Sequence, residues 1–222
     1  MSKKTYKLFE KLKGNDKLTI VPVTARSTEQ FDRITVTQNC PYAILASGAT
    51  ILEHGKPVEE WSNFVDNTCD NHVKSYEFFD QYLSQNLRHM SIRPRRVNNV
   101  VIFFKLNEDE NNHAFVRELR ELATARNWNF TLQQAKGYLA PSEISKESAL
   151  QFLIDYIGDK QVITAGDGRM DVRFIRLGNV FKFIPVDTEA FVYIRACSPC
   201  TVIANNIDGT YYMLERINDT IK

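Results

Sequence analysis

The chain has few of the residues that mark specialised protein classes. Histidine and cysteine occur only 4 times each in 222 residues. The cysteines are Cys40, Cys69, Cys197 and Cys200. Cys197 and Cys200 form one C-x-x-C with no second pair and no histidine cluster, so zinc and a redox pair are disfavoured and reduced structural thiols expected. Neither sign of charge dominates: 28 Lys+Arg against 27 Asp+Glu give a formal net charge of +1. No electrostatic case arises for nucleic acid or a membrane as partner. No apolar run approaches the roughly 18 residues of a membrane span, and no signal-peptide core is visible at the N-terminus. A cytoplasmic location is the default expectation. Internal repeats and low-complexity tracts are absent. What remains, 43% hydrophobic and 25% charged residues, is ordinary globular composition, enough for one large domain or two small ones.

The most informative stretch is Val162-Ile163-Thr164-Ala165-Gly166-Asp167-Gly168-Arg169-Met170-Asp171. It reads as a short buried strand, a glycine-flanked acid, and a second acid four residues on. In an open α/β sheet, ligands bind beyond the carboxyl ends of strands. Asp167 is expected at such an end, with Asp171 opening the next helix and pointing into the same crevice. Two carboxylates plus water and a substrate phosphate suit Mg²⁺. A plain strand-to-helix turn with an Asp cap fits the spacing equally. An EF-hand loop does not, because its twelfth position from Asp167 is Gly178 rather than Glu.

The rest of the chain reads as a mixed α/β protein. Residues 4–13 form a helix, 18–23 a strand broken by Pro22, and 29–36 a helix. Residues 42–46 are apolar throughout, as a buried parallel strand is. A hairpin turn is expected at residues 53–56. Composition shifts after Trp61. Helices over 70–87 and 111–127 and strands over 99–106, 128–133 and 138–140 then suggest a second α/β unit spanning 62–140. Ser145 caps a helix with a clean apolar stripe. Beyond the central stretch, strands are expected near 180–184 and 192–194, residues 201–204 are apolar, and a closing helix runs from Asp208, which itself caps it. One α/β domain, residues 1–61 and 141–222, is therefore interrupted by another.

Three further side chains are candidates. Thr24 ends the strand 18–23, where its hydroxyl can bond a phosphate oxygen; a helix cap is the alternative. Arg26 can add a charge-assisted contact to an anion. Lys146 lies in the first turn of its helix, where a cation is mildly disfavoured. That placement makes sense if the ammonium faces carboxylates or phosphate; otherwise it is a solvated lysine. Arg93, Arg95 and Arg96 form a basic patch that reads first as solvated surface, with binding of an anionic substrate as the alternative.

Taken in order, these segments resemble the haloacid dehalogenase-like phosphatases, in particular the sugar-phosphate phosphatases with an α/β cap inserted in mid-chain. Val21-Pro22-Val23-Thr24-Ala25-Arg26 is similar to that family's second motif. Ala46-Ser47-Gly48-Ala49-Thr50-Ile51, then Gly55-Lys56-Pro57-Val58, resembles the turn before its cap, with Ser47 where Asn is usual. Ser145-Lys146-Glu147-Ser148-Ala149-Leu150 is similar to the third motif, and Ala165 to Asp171 to the fourth. The resemblance implies a Rossmann-like core with a parallel sheet, a cap over 62–140, and Mg²⁺-dependent hydrolysis of a small phosphorylated metabolite through an aspartyl-phosphate. It casts Thr24 and Lys146 as catalytic, Arg26, Ser47 and Gly48 as substrate-binding, and Asp167 and Asp171 as metal ligands.

The pattern departs from the family at one point. Its first motif, an Asp-x-Asp ending a first strand that lies centrally in the sheet, supplies the nucleophile and general acid. That pair is expected before the helix 4–13 and is not seen. Asp16 is the only aspartate before Thr24. The expectations that follow are a chain that starts late, or an inactive sugar-phosphate binder, with weak Mg²⁺ binding and no turnover above background. A further expectation is two rows of unpaired backbone groups, on 18–23 and 162–165, with costly burial.

Overall fold

The computed structural model describes residues 2–107, 112–158, 161–194 and 199–221. Cys197, half of the C-x-x-C, lies outside the described residues. Helix α1 (Lys3–Lys13) starts at Ser2, whose hydroxyl accepts the Thr5 N–H at 3.1 Å. Residues 18–22 then run without strand pairing, and Val23 alone bridges Ile44 in parallel. The predicted strand 18–23 is thus reduced to one bridge; Pro22 has no N–H to give a ladder. The predicted helix 29–36 is also shorter. It ends as α2 (Thr28–Phe31), and a 3₁₀ turn, Thr35–Thr37, takes over the β-branched run.

Strand β1 (Tyr42–Leu45) is buried as expected, yet its ladder partner β2 (Thr50–Glu53) is antiparallel. Its parallel contact is the single Val23 bridge. The expected hairpin joins β2 to β3 (Lys56–Pro57), with His54 at φ 49° and Gly55 at φ 78°, both central residues left-handed as a type I′ turn requires.

Helices α3 (Glu59–Asn71) and α4 (Val73–Gln85) follow. The boundary expected after Trp61 falls inside α3, whose Trp61 and Val65 belong to the core built around β1, β2 and α6. A four-stranded antiparallel sheet, order β4-β5-β7-β6, comes next: β4 (Met90–Val97), β5 (Val101–Leu106), β6 (Trp128–Gln133) and β7 (Lys136–Pro141), with α5 (Asn112–Thr124) between β5 and β6. One face of this sheet buries Ile102, Phe104, Trp128 and Leu139 against Phe79, Leu83 and Leu119 of α4 and α5. The other face carries Arg95, Phe103, Thr131 and Tyr138, aligned by register from strand to strand. Strand β4 was not expected. Pro94 and three arginines hide its pattern, and it survives as a bulged edge strand, the position that tolerates both.

The chain returns through α6 (Lys146–Ile157) to a three-stranded parallel sheet, order β10-β9-β8: β8 (Ile163–Ala165), β9 (Phe181–Pro185) and β10 (Thr201–Ile203). Short α7 (Val172–Ile175) links β8 to β9. The expected strand 192–194 is instead part of helix α8 (Glu189–Ile194), where Ala190 and Ile194, four apart, are both fully buried. Helix α9 (Ile207–Thr220) closes the chain, capped by Asn206 rather than Asp208: the Asn206 side-chain oxygen accepts the Gly209 N–H at 2.9 Å. The molecule is therefore α/β, with a parallel sheet and, among the described residues, two antiparallel ones, β1-β2-β3 and β4-β5-β7-β6.

Between the segment 18–23 and β8 lies an apolar slot of about 630 Å³, floored by Leu12 of α1, Leu153 of α6 and Leu214 of α9. Strand β8 pairs with β9 on one side; its other edge borders the slot. The two rows of backbone groups expected to lack partners flank this space.

Candidate functional site

Helix α6 is clamped at both ends. The Ser145 hydroxyl accepts the Ser148 N–H at 3.1 Å, and the Ser148 hydroxyl accepts the Ser145 N–H at 2.9 Å, a reciprocal capping box. At the far end Gly158 sits at φ 74° and donates its N–H to Ile154 O. This fixes Lys146 as the first helical residue, with its ammonium directed at Asp171: Nζ donates to Oδ1 at 2.6 Å. Both side chains are only 10% exposed. The ion pair offsets placing a cation at the positive end of a helix.

The second oxygen of Asp171 organises the loop beyond β8. Its Oδ2 accepts the N–H of Gly168 at 2.9 Å and of Asp167 at 3.2 Å. One carboxylate thus holds the lysine and shapes the turn. The glycines make this possible by their size. A Cβ at Gly166 would stand 2.6 Å from Asp171 Cβ, and one at Gly168 would stand 2.7 Å from Gln133 Nε2 on β6. Asp167 is exposed at the carboxyl end of β8 and lines the main cleft. Among the described residues its carboxylate has no hydrogen-bond or ion-pair partner. It is therefore free to meet a cation, whereas the carboxylate of Asp171 is already committed to three donors.

Thr24 is not a helix cap, the place that Ser27 takes for α2. Its hydroxyl accepts the Arg26 N–H at 3.3 Å, a local turn cap, and the residue also lines the cleft. Its backbone N–H donates to Ile44 O at 2.9 Å, and its carbonyl accepts the Ser47 N–H at 3.0 Å. The turn reached in this way is strained. Ala46, Ser47 and Gly48 have φ of 47°, 58° and 105°, and a left-handed non-glycine residue costs on the order of 1–3 kcal/mol. The Ala46 N–H to Arg26 O, at 2.8 Å, and the Trp61 indole N–H to Gly48 O, at 3.0 Å, help to hold it. The Ser47 hydroxyl is buried and, among the described residues, has no hydrogen-bond partner.

Two cavities open here. The larger, about 750 Å³, is lined by Thr24, Arg26, Lys146, Asp167 and Asp171. The smaller, about 310 Å³, reaches Ser47 and shares Lys146 and Tyr138 with the larger. Six of the seven residues singled out from the sequence line one or the other. Gly48 lies under them, its own Cβ position 2.2 Å from the Ser145 carbonyl oxygen, so it shapes the turn by close approach. Residues the sequence did not single out also line the space: Arg33, Phe103, Gln133, Lys136 and Tyr138. Alternation could have found the last two, since Lys136 and Tyr138 occupy the strand face opposite buried Leu139. Burial pushes the Tyr138 phenol above its ordinary value, so at neutral pH it is a neutral hydrogen-bond donor.

No cluster of three or more metal-ligating His, Cys, Asp or Glu side chains occurs among the described residues. Magnesium does not need one: it is commonly held through one or two carboxylates, completed by water and substrate phosphate. The free carboxylate of Asp167 fits that role.

The carboxyl end of a parallel sheet, an acidic loop and a helix-borne lysine beneath a second α/β layer make this the fold of the haloacid dehalogenase-like phosphatases. The solved structures of such proteins superpose on almost all of the chain. A sucrose-phosphatase from Synechocystis sp. PCC6803, in complex with sucrose and phosphate, aligns over 99% of this chain and 92% of its own at a TM-score of 0.74 and 15% identity. A haloacid dehalogenase-like hydrolase from B. subtilis aligns over 97% and 93%, with TM-score 0.70 and 11% identity. The C-terminal domain of trehalose-6-phosphate phosphatase from C. albicans aligns over 100% and 86%, with TM-score 0.67 and 12% identity. No family model and no curated protein matches the sequence. No helix among the described residues is long and apolar enough to cross a membrane.

Proposed function

We propose that the cleft is the phosphate site of a Mg²⁺-dependent phosphomonoester hydrolase acting on a small phosphorylated metabolite such as a sugar phosphate, with residues 62–140 as its cap. The observation that carries this reading is the Lys146–Asp171 pair at 2.6 Å, set beside a strained turn with an unpartnered buried Ser47 hydroxyl. Lys146 and the hydroxyls of Thr24 and Ser47 bind the phosphoryl oxygens. Asp171 is a positioning residue that holds the ammonium and the loop 166–168. Asp167 holds the metal. Magnesium, when bound, supplies charge that stabilises phosphate oxygens. The cap sheet excludes water from the cleft, and neutral Tyr138 donates a hydrogen bond into it. The fold neighbours named above include sugar-phosphate phosphatases, which supports the substrate class.

A second reading, a phosphate-ester binder without turnover, is favoured by one observation. The carboxylates lining the two cavities are Asp167, Asp171 and Glu147. Among the described residues, Asp171 is committed to Lys146 and Asp167 is assigned to the metal, while Glu147, in the first turn of α6, lines only the smaller cavity, so the larger one has no carboxylate left as nucleophile. Phosphate release and equilibrium binding, measured on a panel of sugar phosphates with Mg²⁺ or EDTA, decide between the two. Turnover that is EDTA-sensitive and lost in Asp167→Ala supports hydrolysis. Binding without turnover, lost in Lys146→Gln, supports the second reading. Neither binding nor turnover refutes both.

A further inference from the structure

The cleft is far more cationic than the protein that contains it. The whole chain carries +1. Within the larger cavity Lys146 and Asp171 neutralise each other, leaving Arg26, Arg33, Arg95 and Lys136 against Asp167, an excess of 4 − 1 = +3. Among the described residues none of these four has an acidic partner within ion-pair distance. The contrast with the adjacent position is sharp. Arg96 points to the opposite face, bonds Asp80 at 2.7 Å and lies over the Tyr76 ring. Unpaired arginines gathered in a cleft concentrate positive potential there, and guanidinium forks suit carboxylate and phosphate.

The cations are also placed in order. Tyr138, Phe103 and Arg95 are cross-strand neighbours on β7, β5 and β4. The Phe103 and Tyr138 ring centroids are 5.4 Å apart, and the Arg95 guanidinium carbon is 5.3 Å from the Phe103 centroid. Tyr138 lines both cavities together with Lys146, the residue proposed to bind the phosphoryl group. Arg95 stands two strand spacings away, about 10 Å. Lys136 lies on the same face of β7 as Tyr138, two residues from it.

We infer that the ligand of this cleft carries two anionic groups: one phosphoryl group at Lys146 and Thr24, and a second phosphate or carboxylate held by Arg95 and Lys136, with the body between them lying on Phe103 and Tyr138. This rests on the phosphate-site reading above and narrows its substrate class to doubly anionic metabolites. A single phosphate group, with its charge of about −2 at most, falls short of that excess, and one seated at Lys146 does not reach Arg95 across two strand spacings.

Isothermal titration of the full chain with inorganic phosphate, glucose 6-phosphate and fructose 1,6-bisphosphate tests it. The bisphosphate is expected to bind more tightly than the monophosphate by about tenfold or more, the effect of one charge-assisted hydrogen bond. Arg95→Gln with Lys136→Gln should remove that preference, weakening the bisphosphate at least tenfold more than glucose 6-phosphate; both side chains are exposed, so the fold is retained. Arg96→Gln, which removes one charge outside the cleft, should keep the preference. Equal affinity for the one- and two-anion ligands, with binding still lost in Lys146→Gln, overturns this inference and leaves the phosphate site standing. So does a preference that survives the Arg95, Lys136 double change. Absence of binding by all three ligands overturns both.

Discussion

Replacing Asp171 by Asn isolates the contact on which the site is built. Asp171 and Lys146 are each 10% exposed, and the carboxylate has three donors: the ammonium at 2.6 Å and two loop N–H groups at 2.9 and 3.2 Å. Asn keeps the shape and one acceptor oxygen but leaves the ammonium buried without a counter-charge. Breaking a buried pair from one side typically costs about 3–5 kcal/mol. At about 2–4 °C per kcal/mol for a chain of this length, Tm should fall by about 6–20 °C. Lys146→Met should cost less, because the carboxylate it abandons still accepts two backbone N–H bonds. The double variant Asp171→Asn, Lys146→Met should be more stable than the sum of the two losses predicts, by a coupling of about 1–3 kcal/mol. Urea unfolding followed by tryptophan fluorescence is the assay. Trp61 and Trp128, both 3% exposed, report on the two separate cores, so coincident transitions also test whether the chain unfolds as one unit. A loss in Asp171→Asn below about 1 kcal/mol, or strict additivity in the double variant, would refute the view that the pair is buried and mutually dependent.

Two further outcomes follow from the strained turn. Ser47→Ala should stabilise the protein, by about 1 kcal/mol, because it removes a buried hydroxyl lacking a partner; the same change should weaken phosphate binding, and thermal unfolding with and without phosphate reads both. Gly48→Ala should destabilise by more than about 3 kcal/mol, since its φ is 105° and its new Cβ would stand 2.2 Å from the Ser145 backbone oxygen. Near-wild-type unfolding of that variant would mean that the turn is not wedged against α6.

Much of the lining of the candidate cleft was legible in the sequence because its signals are local. The cap at Ser145 and the stripe of α6 fix where Lys146 stands, and the glycines around Asp167 announce a tight acidic turn. The partnership within the site was not legible. Spacing suggested that Asp167 and Asp171 act alike, yet Asp171 is taken by a lysine 25 positions earlier in the chain. Strand β4 escaped notice because an edge strand need not alternate cleanly. The expected strand at 192–194 is helical because Ala190 and Ile194 are buried on one side, a tertiary preference that overrides the β-propensity of a short apolar run. The role of the second sheet emerges only in three dimensions, since Arg95, Phe103 and Tyr138 are far apart in sequence and become neighbours through register.

The slot lies along the free side of β8, an edge strand of its three-stranded sheet. Backbone groups of β8 alternate in direction. Gly166 donates its N–H to Phe183 O on the β9 side at 3.3 Å, so the amides of Ile163 and Ala165 point the other way, toward the slot. In most domains the slowest amide exchange lies along the central strands, because reaching them requires global unfolding. Here the free edge of β8 is where water gains access by local opening. Native-state hydrogen exchange should find Ile163 and Ala165 less protected than Phe183 and Ile184 one strand away, which are fully buried. The hierarchy of protection would then run outward from β9, with a soft seam between α1 and α6.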